Sequence, residues 1–406
     1  MTKLSNIEYH YGRFARGTIA GHPEPTPKSR MWSDIWKKIA TNQMFGLCLP
    51  KACGGHGGNL KDLAGAARAL VTKGGRIGIA MSWLIHEIIS CRLIYEFGDA
   101  SQKKELLPDL AAGKITVSLA VSEPDIGAHP KHLQTMASFE NGKWTLNGQK
   151  TYITNGPISD WFIVMVKTGV MDGKNRYTAF LVHKDTPGFH IHDPMELPFL
   201  KSCPHGGISL ADCQIGEKQI LGPKDHAYEA MAVPFRRVEK VLLMSLVTGG
   251  LDFEIDWLRQ TIGQHQDLLE NNNILFKLGH LKCRTDAMTA LADKAAEIFI
   301  EDEKDPRLST LPHFMRAQAE AFQRQFKELA SDLPDAENPA ALPVTRDMDG
   351  LLGIGRQAAQ NLMMKMGEKL ASDFTHKEHF QGPKSGRRST AASPSKYQNS
   401  FFPGKK

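Results

Sequence analysis

A metal-binding or disulfide framework is missing from this sequence. Its six cysteines, Cys48, Cys53, Cys91, Cys203, Cys213 and Cys283, form no Cys-x-x-Cys pair and no histidines cluster beside them, so they read as reduced structural thiols. Met1 to Gly17 is polar and has no apolar centre of signal-peptide type, and no later run reads as long and apolar enough to span a bilayer. The expectation is a cytoplasmic protein without a membrane span. The glycine-rich stretch Cys53 to Gly58 is not followed by Gly-Lys-Ser/Thr, which excludes a phosphate-binding P-loop and leaves a plain loop. The net charge of +6 is also less than it looks. From Thr375 to Lys406 there are seven Lys/Arg against Glu378 alone, which accounts for the whole surplus and leaves the body close to neutral. A nucleic-acid protein would carry its surplus on a folded face, whereas this one lies in a Gly/Pro/Ser-rich segment that reads as a disordered tail.

What is present is an ordinary globular composition, 41% hydrophobic and 23% charged. A length of 406 residues calls for two or three packed units. Residues 1–114 read as an N-terminal helical domain, with helices over Lys61 to Lys73 and Arg76 to Phe97 and a shorter one, Ser101 to Ala112, broken near Pro108. Residues 115–225 read as a β domain, with strands at Ile115 to Val121, Leu133 to Phe139, Lys143 to Leu146, Trp161 to Lys167, Tyr177 to His183 and Phe189 to His192. Asn141-Gly142 is a hairpin turn, and Pro204-His205-Gly206-Gly207 reads as another turn. Residues 226–374 return to helical patterns, at Tyr228 to Thr261, Asn273 to Phe299, Leu311 to Ala330 and Gly350 to Ala371, and 375–406 are the basic tail.

Two short stretches separated by nineteen residues carry the chemistry: Val121-Ser122-Glu123-Pro124-Asp125-Ile126-Gly127-Ala128 and Gly148-Gln149-Lys150-Thr151-Tyr152-Ile153-Thr154-Asn155-Gly156. The first follows an apolar, β-branched strand and leaves it at a proline, which cannot donate to a ladder. Such a loop offers a serine hydroxyl and free backbone N–H groups to a polar ring edge. In the second, Tyr152 and Thr154 are two apart and so are expected on one strand face, with Thr151 and Ile153 on the other. That face offers a stacking ring and a hydroxyl donor.

Together these stretches resemble the flavin-contacting core of the acyl-CoA dehydrogenase family, over about residues 30 to 330. The resemblance implies a multi-domain α and β fold: an N-terminal helical domain, a barrel-like middle β domain and a C-terminal helical bundle. It implies FAD, with Val121, Ser122, Tyr152 and Thr154 at the cofactor, and an acyl-CoA or acyl-carrier thioester as substrate. It implies an electron-transfer flavoprotein as acceptor and a homodimer or homotetramer. Family members draw the base that removes the α-proton from one of two places. Asp347 to Ala359 contains no glutamate, whereas Arg237-Val238-Glu239-Lys240-Val241-Leu242 lies at the other place, so Glu239 is the expected base. Arg236, Arg237 and Lys240 are expected to meet substrate phosphates and to lower the pKa of Glu239. Ala128 stands where the family has a hydroxyl near the substrate. Arg259-Gln260-Thr261-Ile262-Gly263 resembles the segment whose arginine reaches the FAD pyrophosphate of a neighbouring subunit, which brings Arg259 and Thr261 into the expected site.

Three departures from the family pattern keep alternatives open. Ala128 and His129 replace Ser-Asp, Tyr152 replaces a tryptophan, and Asp332 to Pro343 replaces a Gly-Gly-x-Gly loop. A flavin monooxygenase or oxidase on the same fold, or a non-catalytic relative acting as a binding protein, are the rival readings. Gly353-Ile354-Gly355-Arg356-Gln357-Ala358 matches a loose dinucleotide fingerprint without a preceding strand, and reads as a helix start.

Overall fold

Apolar residues at helical spacing in the first third build six helices around one core. In the computed structural model, which describes residues 3–334 and 341–377, these are α1 (Lys3–Thr18), α2 (Arg30–Thr41), α3 (Leu60–Gly74), α4 (Ile77–Ile88), α5 (Tyr95–Phe97) and α6 (Ala100–Ala111). The start of α3 is set by a capping box. The Asn59 side chain accepts from the backbone N–H groups of Lys61 and Asp62, and Asp62 accepts from that of Asn59. Every residue of α4 is buried, and a π turn over Ile89–Ile94 joins it to α5. By length and composition the stretch Ile77–Phe97 could cross a membrane, contrary to the expectation that no run would. It is wrapped by the rest of the protein instead. The expected break at Pro108 does not occur: α6 runs through the proline, which sits on its exposed side.

The middle of the chain forms one eight-stranded sheet: β1 (Val117–Ala120), β2 (Met136–Glu140), β3 (Lys143–Thr154), β4 (Trp161–Met171), β5 (Lys174–His183), β6 (Phe189–Ile191), β7 (His205–Ile215) and β8 (Ile220–Leu221). Its order is β6-β7-β3-β2-β4-β5-β8, with β1 pairing parallel to β4. Asn141 and Gly142, both at positive φ, turn β2 into β3 as expected. The alternation along β4 divides its side chains between two cores. Phe162, Val164 and Val166 join Trp144, Leu146, Phe180 and Ile208 on one face, while Ile163 and Met165 pack with the helices on the other.

In the segment read as a turn at Pro204 to Gly207, His205 to Gly207 instead begin β7, which pairs along β3. Two consecutive glycines suggest a turn, but here they serve close approach. A Cβ on Gly206 would lie 2.8 Å from Cγ of Pro157, and one on Gly207 would lie 2.9 Å from the Lys150 carbonyl oxygen.

A π turn, Tyr228–Ala232, then opens the long helix α7 (Val233–Gly263), followed by α8 (Gln266–Leu269), α9 (Asn272–Glu301), α10 (Arg307–Ser331) and α11 (Pro343–Gly353). Helix α7 is the hub, packing against α3, α4, α9, α10 and α11. Met1–Ile354 forms one compact unit and Gly355 onward a second. The single helix expected over Gly350 to Ala371 is therefore two, with Gly355 at φ +65° between α11 and α12 (Arg356–Lys377). The expected basic tail lies outside the described residues from 378 onward, as do residues 335–340 of the acidic, proline-rich connection.

Candidate active site

The two sequence motifs meet through a buried ion pair that sequence reading did not single out. After β1 the chain passes Val121 and Ser122 and turns over Pro124 to Gly127, where the backbone N–H groups of Glu123 and Gly127 each donate to the other's carbonyl at 3.0 Å. The Glu123 carboxylate points inward. It accepts from the backbone N–H groups of Gln134 (2.6 Å) and Thr135 (2.9 Å) and from Lys150 Nζ (2.9 Å). Lys150, whose side chain is 0% exposed, also donates to the Val121 carbonyl at 3.1 Å. The Thr151 N–H donates to the Ser122 carbonyl at 2.8 Å. Burial alone would raise Glu123, but Lys150 and the N–H donors hold it below the ordinary carboxylate range, while burial brings Lys150 down to about 8. A charged pair in a strand-rich, apolar stretch was the available signal for it.

Just beyond Lys150 the strand is irregular. Lys150 pairs with Ile208 and Ile153 with Gly206, so Thr151 and Tyr152 oppose the single residue Gly207 in a β-bulge. Tyr152 sits at φ +54° and is 59% exposed, an unusual backbone for a bulky residue. The bulge overturns the expected alternation. Thr151, Tyr152 and Thr154 all line one cavity, and only Ile153 turns into the sheet core.

The Thr154 hydroxyl lies 3.2 Å from Nε2 of His205, whose Nδ1 lies 3.0 Å from the Cys203 carbonyl. That carbonyl can only accept, so Nδ1 carries the hydrogen. Burial lowers the pKa of His205, so the ring is neutral and Nε2 accepts from Thr154. Thr154 therefore presents a lone pair to the cavity, where a donor was expected.

The other wall is helical. Val121, Ser122, Ala128, Thr151, Tyr152 and Thr154 enclose the cavity together with Ile85 of α4, Leu119 of β1, and Ala232, Phe235, Arg236 and Glu239 at the start of α7. Its volume is about 160 Å³. Glu239 keeps some solvent contact but lies deep in protein mass, and burial pushes its carboxyl up to about 7 against the pull of Arg236 and Lys240. The expectation that these cations would lower it is thus corrected: desolvation outweighs attraction across a distance too long for an ion pair. Arg236 instead donates to the hydroxyl of Tyr228, and Tyr228 donates to the Ala128 carbonyl at 2.7 Å, tying the motif loop to α7.

Arg237 and Lys240 do not line this cavity. With Arg236 they border an adjoining one of about 350 Å³, whose other charged residues are Glu303, Lys304 and Asp305. Arg259 and Thr261 lie some twenty residues along α7, about 30 Å away at 1.5 Å per residue. There Arg259 pairs with Asp256 at the surface and the Thr261 hydroxyl donates to the Trp257 carbonyl. Of the cavity residues not anticipated, Phe235 was within reach of the sequence, being one helical turn before Glu239. Ile85 carried no local signal.

Helical layers before and after a sheet meet at this cavity, whose lining brings together a carboxyl, strand hydroxyls and an exposed aromatic ring. Comparison with known proteins places the chain in a family. Residues 7–114 match the acyl-CoA dehydrogenase N-terminal domain and residues 118–213 its middle domain. An acyl-CoA dehydrogenase of Bacillus subtilis is 27% identical over 70% of this chain and 76% of its own length. An L-prolyl-[peptidyl-carrier protein] dehydrogenase of Serratia is 32% identical over 62% of this chain and 67% of its own length. The solved FAD complex of PigA shares the fold with a TM-score of 0.76 at 22% identity, covering 91% of this chain and 99% of that one. The chain belongs to the acyl-CoA dehydrogenase family.

Proposed function

We propose that this protein is an FAD-dependent dehydrogenase that desaturates an acyl thioester between its α and β carbons, with Glu239 as the α-proton base. One observation carries the reading: Glu239 and the hydroxyl-bearing residues Ser122 and Thr154, from segments more than eighty residues apart, share a single cavity. The residues present fit a flavin. Tyr152 holds an exposed ring at the cavity wall in a strained backbone, the state of an aromatic group kept ready for a stacking partner. FAD, when bound, supplies the acceptor for the β-hydride. Ser122 and Thr154, with the backbone at Val121, would hold its polar ring edge. At neutral pH a carboxyl with a pKa of about 7 is divided between its two forms, which suits a group that must take up a proton and give it back.

The charged cavity adjoining at Arg236 suits a phosphate-bearing arm, with Arg237 and Lys240 as its cations. Ala128 would border the substrate. Because Arg259 and Thr261 are far from this cavity, their contact with cofactor would be made in a second subunit, so the active species is a dimer or tetramer. Electrons would leave to an electron-transfer flavoprotein. A carrier-bound aminoacyl thioester is a second reading of the substrate, favoured by the 32% identity to the Serratia prolyl-carrier enzyme.

The test is the visible spectrum of the purified protein before and after acyl thioesters are added without oxygen. A yellow protein that bleaches supports the reading. One that stays yellow with every thioester but reacts with oxygen once reduced would favour an oxygenase or oxidase, and failure to take up FAD would favour a binding protein.

A further inference from the structure

His205 stands behind the strand wall of the cavity. It lies opposite Thr154 in the β3–β7 ladder, half-buried, and does not line the cavity itself. Its link to the cavity is the Thr154 hydroxyl, 3.2 Å from Nε2. The other ring nitrogen, Nδ1, lies 3.0 Å from the carbonyl oxygen of Cys203, two residues earlier in the chain.

Both partners are anchored. The Thr154 carbonyl accepts from the Ser118 hydroxyl of β1 at 2.8 Å. The next residue, Asn155, is fully buried at φ +62°. Its N–H donates to the Pro204 carbonyl at 2.7 Å, and its side-chain amide donates to the Ser82 carbonyl of α4 at 2.9 Å and accepts from the Ser82 hydroxyl. Thr154 is thus tied to β1 and, through Asn155, to α4 and to the residue before His205.

This arrangement fixes the sense of the hydroxyl. A threonine hydroxyl has one hydrogen and two lone pairs. Because a carbonyl oxygen only accepts, the histidine hydrogen is on Nδ1, and Nε2 takes the threonine hydrogen. Burial, which lowers the pKa of His205, keeps the ring neutral. What remains for the cavity is a lone pair. A flavin changes its own sense on reduction: the hydride it accepts becomes an N–H, so a ring nitrogen that could only accept a hydrogen bond now donates one. An acceptor-only hydroxyl satisfies that nitrogen in the reduced form and leaves it without a partner in the oxidised form.

We infer that His205 is a positioning residue: by taking the hydrogen of Thr154 it makes that hydroxyl an acceptor, and so shifts the bound flavin towards its reduced form. This rests on the flavin-dehydrogenase reading. Since His205 does not line the cavity, it acts through Thr154.

Two measurements test it. In long-range proton–nitrogen spectra of protein isotope-labelled in its histidines, the His205 signal, found by its shift in Thr154→Val and its loss in His205→Leu, should be that of a neutral ring with the hydrogen on Nδ1. The opposite tautomer or a charged ring would overturn the proposal, because Thr154 would keep its hydrogen for the cavity. The second measurement is the reduction potential of bound FAD, by equilibration with a dye of known potential without oxygen or substrate. Thr154→Val keeps the side-chain outline without the hydroxyl. It should lower the ratio of reduced to oxidised flavin about fivefold, the worth of one hydrogen bond, which is about 20 mV for a two-electron couple. Thr154→Ser should stay near the native value. His205→Leu should lower the ratio at least as far as Thr154→Val, because the freed hydroxyl can then donate to the oxidised ring. The double variant should match Thr154→Val alone, whereas a merely structural histidine would add a further change.

An unchanged potential in Thr154→Val with FAD still bound would overturn the proposal and leave the dehydrogenase reading intact. An effect of His205→Leu that is missing, or that persists in the double variant, would overturn the role of His205. Should His205→Leu fold poorly, the native spectrum and Thr154→Val still decide. Failure of the native protein to take up FAD would remove the functional reading, and the inference with it.

Discussion

On the strand side of the cavity, Ser122, Thr151, Tyr152 and Thr154 owe their positions to departures from regular structure: a loop after β1, a bulge in β3 and a left-handed tyrosine. On the helix side, Phe235 and Glu239 are placed by the ordinary repeat of α7, four residues apart on one face. The irregular wall needs something to hold it, and the Glu123–Lys150 pair, with its bonds to the backbone of Val121, Gln134 and Thr135, supplies the constraint. The regular wall needs only its own hydrogen bonds and packing. A change on the strand side should therefore propagate to cofactor binding, whereas one on the helix side should act on chemistry and substrate choice.

The largest expected effect is on the helix side. Glu239→Gln should retain FAD but slow bleaching by substrate about 10²- to 10⁴-fold, the range that a positioned base contributes; undiminished bleaching would remove Glu239 from the chemistry. On the strand side, Glu123→Gln leaves Lys150 buried without its partner and should cost about 3–5 kcal/mol in chemical denaturation, together with a loss of FAD affinity. The double variant Glu123→Gln/Lys150→Met should recover much of that stability, because no buried charge remains. If the single variant loses less than about 1 kcal/mol and keeps its flavin, the pair is not what holds the loop.

Two of the carboxyls on α7 sharpen the comparison through pH. Glu239 acts only when ionised, so kcat/KM should rise with pH through an apparent pKa of about 7. Glu254 is fully buried; burial raises it from 4.5 to about 8, against the hydrogen bonds it receives from Thr345 and Gln323. Its folded form holds the proton more tightly than its unfolded form. Stability from this group is therefore complete below 4.5 and falls as pH rises from there to about 8. Glu254→Gln should flatten that decline in a series of melting curves, and an unchanged slope would mean that the group is not protonated in the folded protein. The smallest effect belongs to Arg259→Ala. Its surface pair with Asp256 should contribute no more than about 1 kcal/mol to stability, so a marked loss of FAD affinity would have to come from a second subunit's site.

How much could be read beforehand differs between the walls in the same way. Glu239 was picked out by the family resemblance, and the helix that carries it by its own periodicity. Tyr152 and Thr154 were also found, but the wrong face was assigned to Thr151, because period-two alternation gives no warning of a bulge whose cause, the fit of β3 against Gly206 and Gly207, lies fifty residues away. The same two glycines were taken for a turn for want of knowing that Pro157 and Lys150 crowd them.

The pKa of Glu239 went astray for a related reason. Neighbouring cations are visible in sequence and favour the charged form, whereas the desolvation that opposes them depends on what packs around the carboxyl in space. By itself the sequence determined the order of helical and sheet segments, the two motifs and the helix that bears the carboxyl, since these follow from local pattern and residue chemistry. Only the tertiary structure decided that Ile85 and Phe235 line the cavity, that Glu123 and Lys150 join its loops, and that Arg259 lies elsewhere. Those are contacts between distant segments, and their energies are set by burial and close packing.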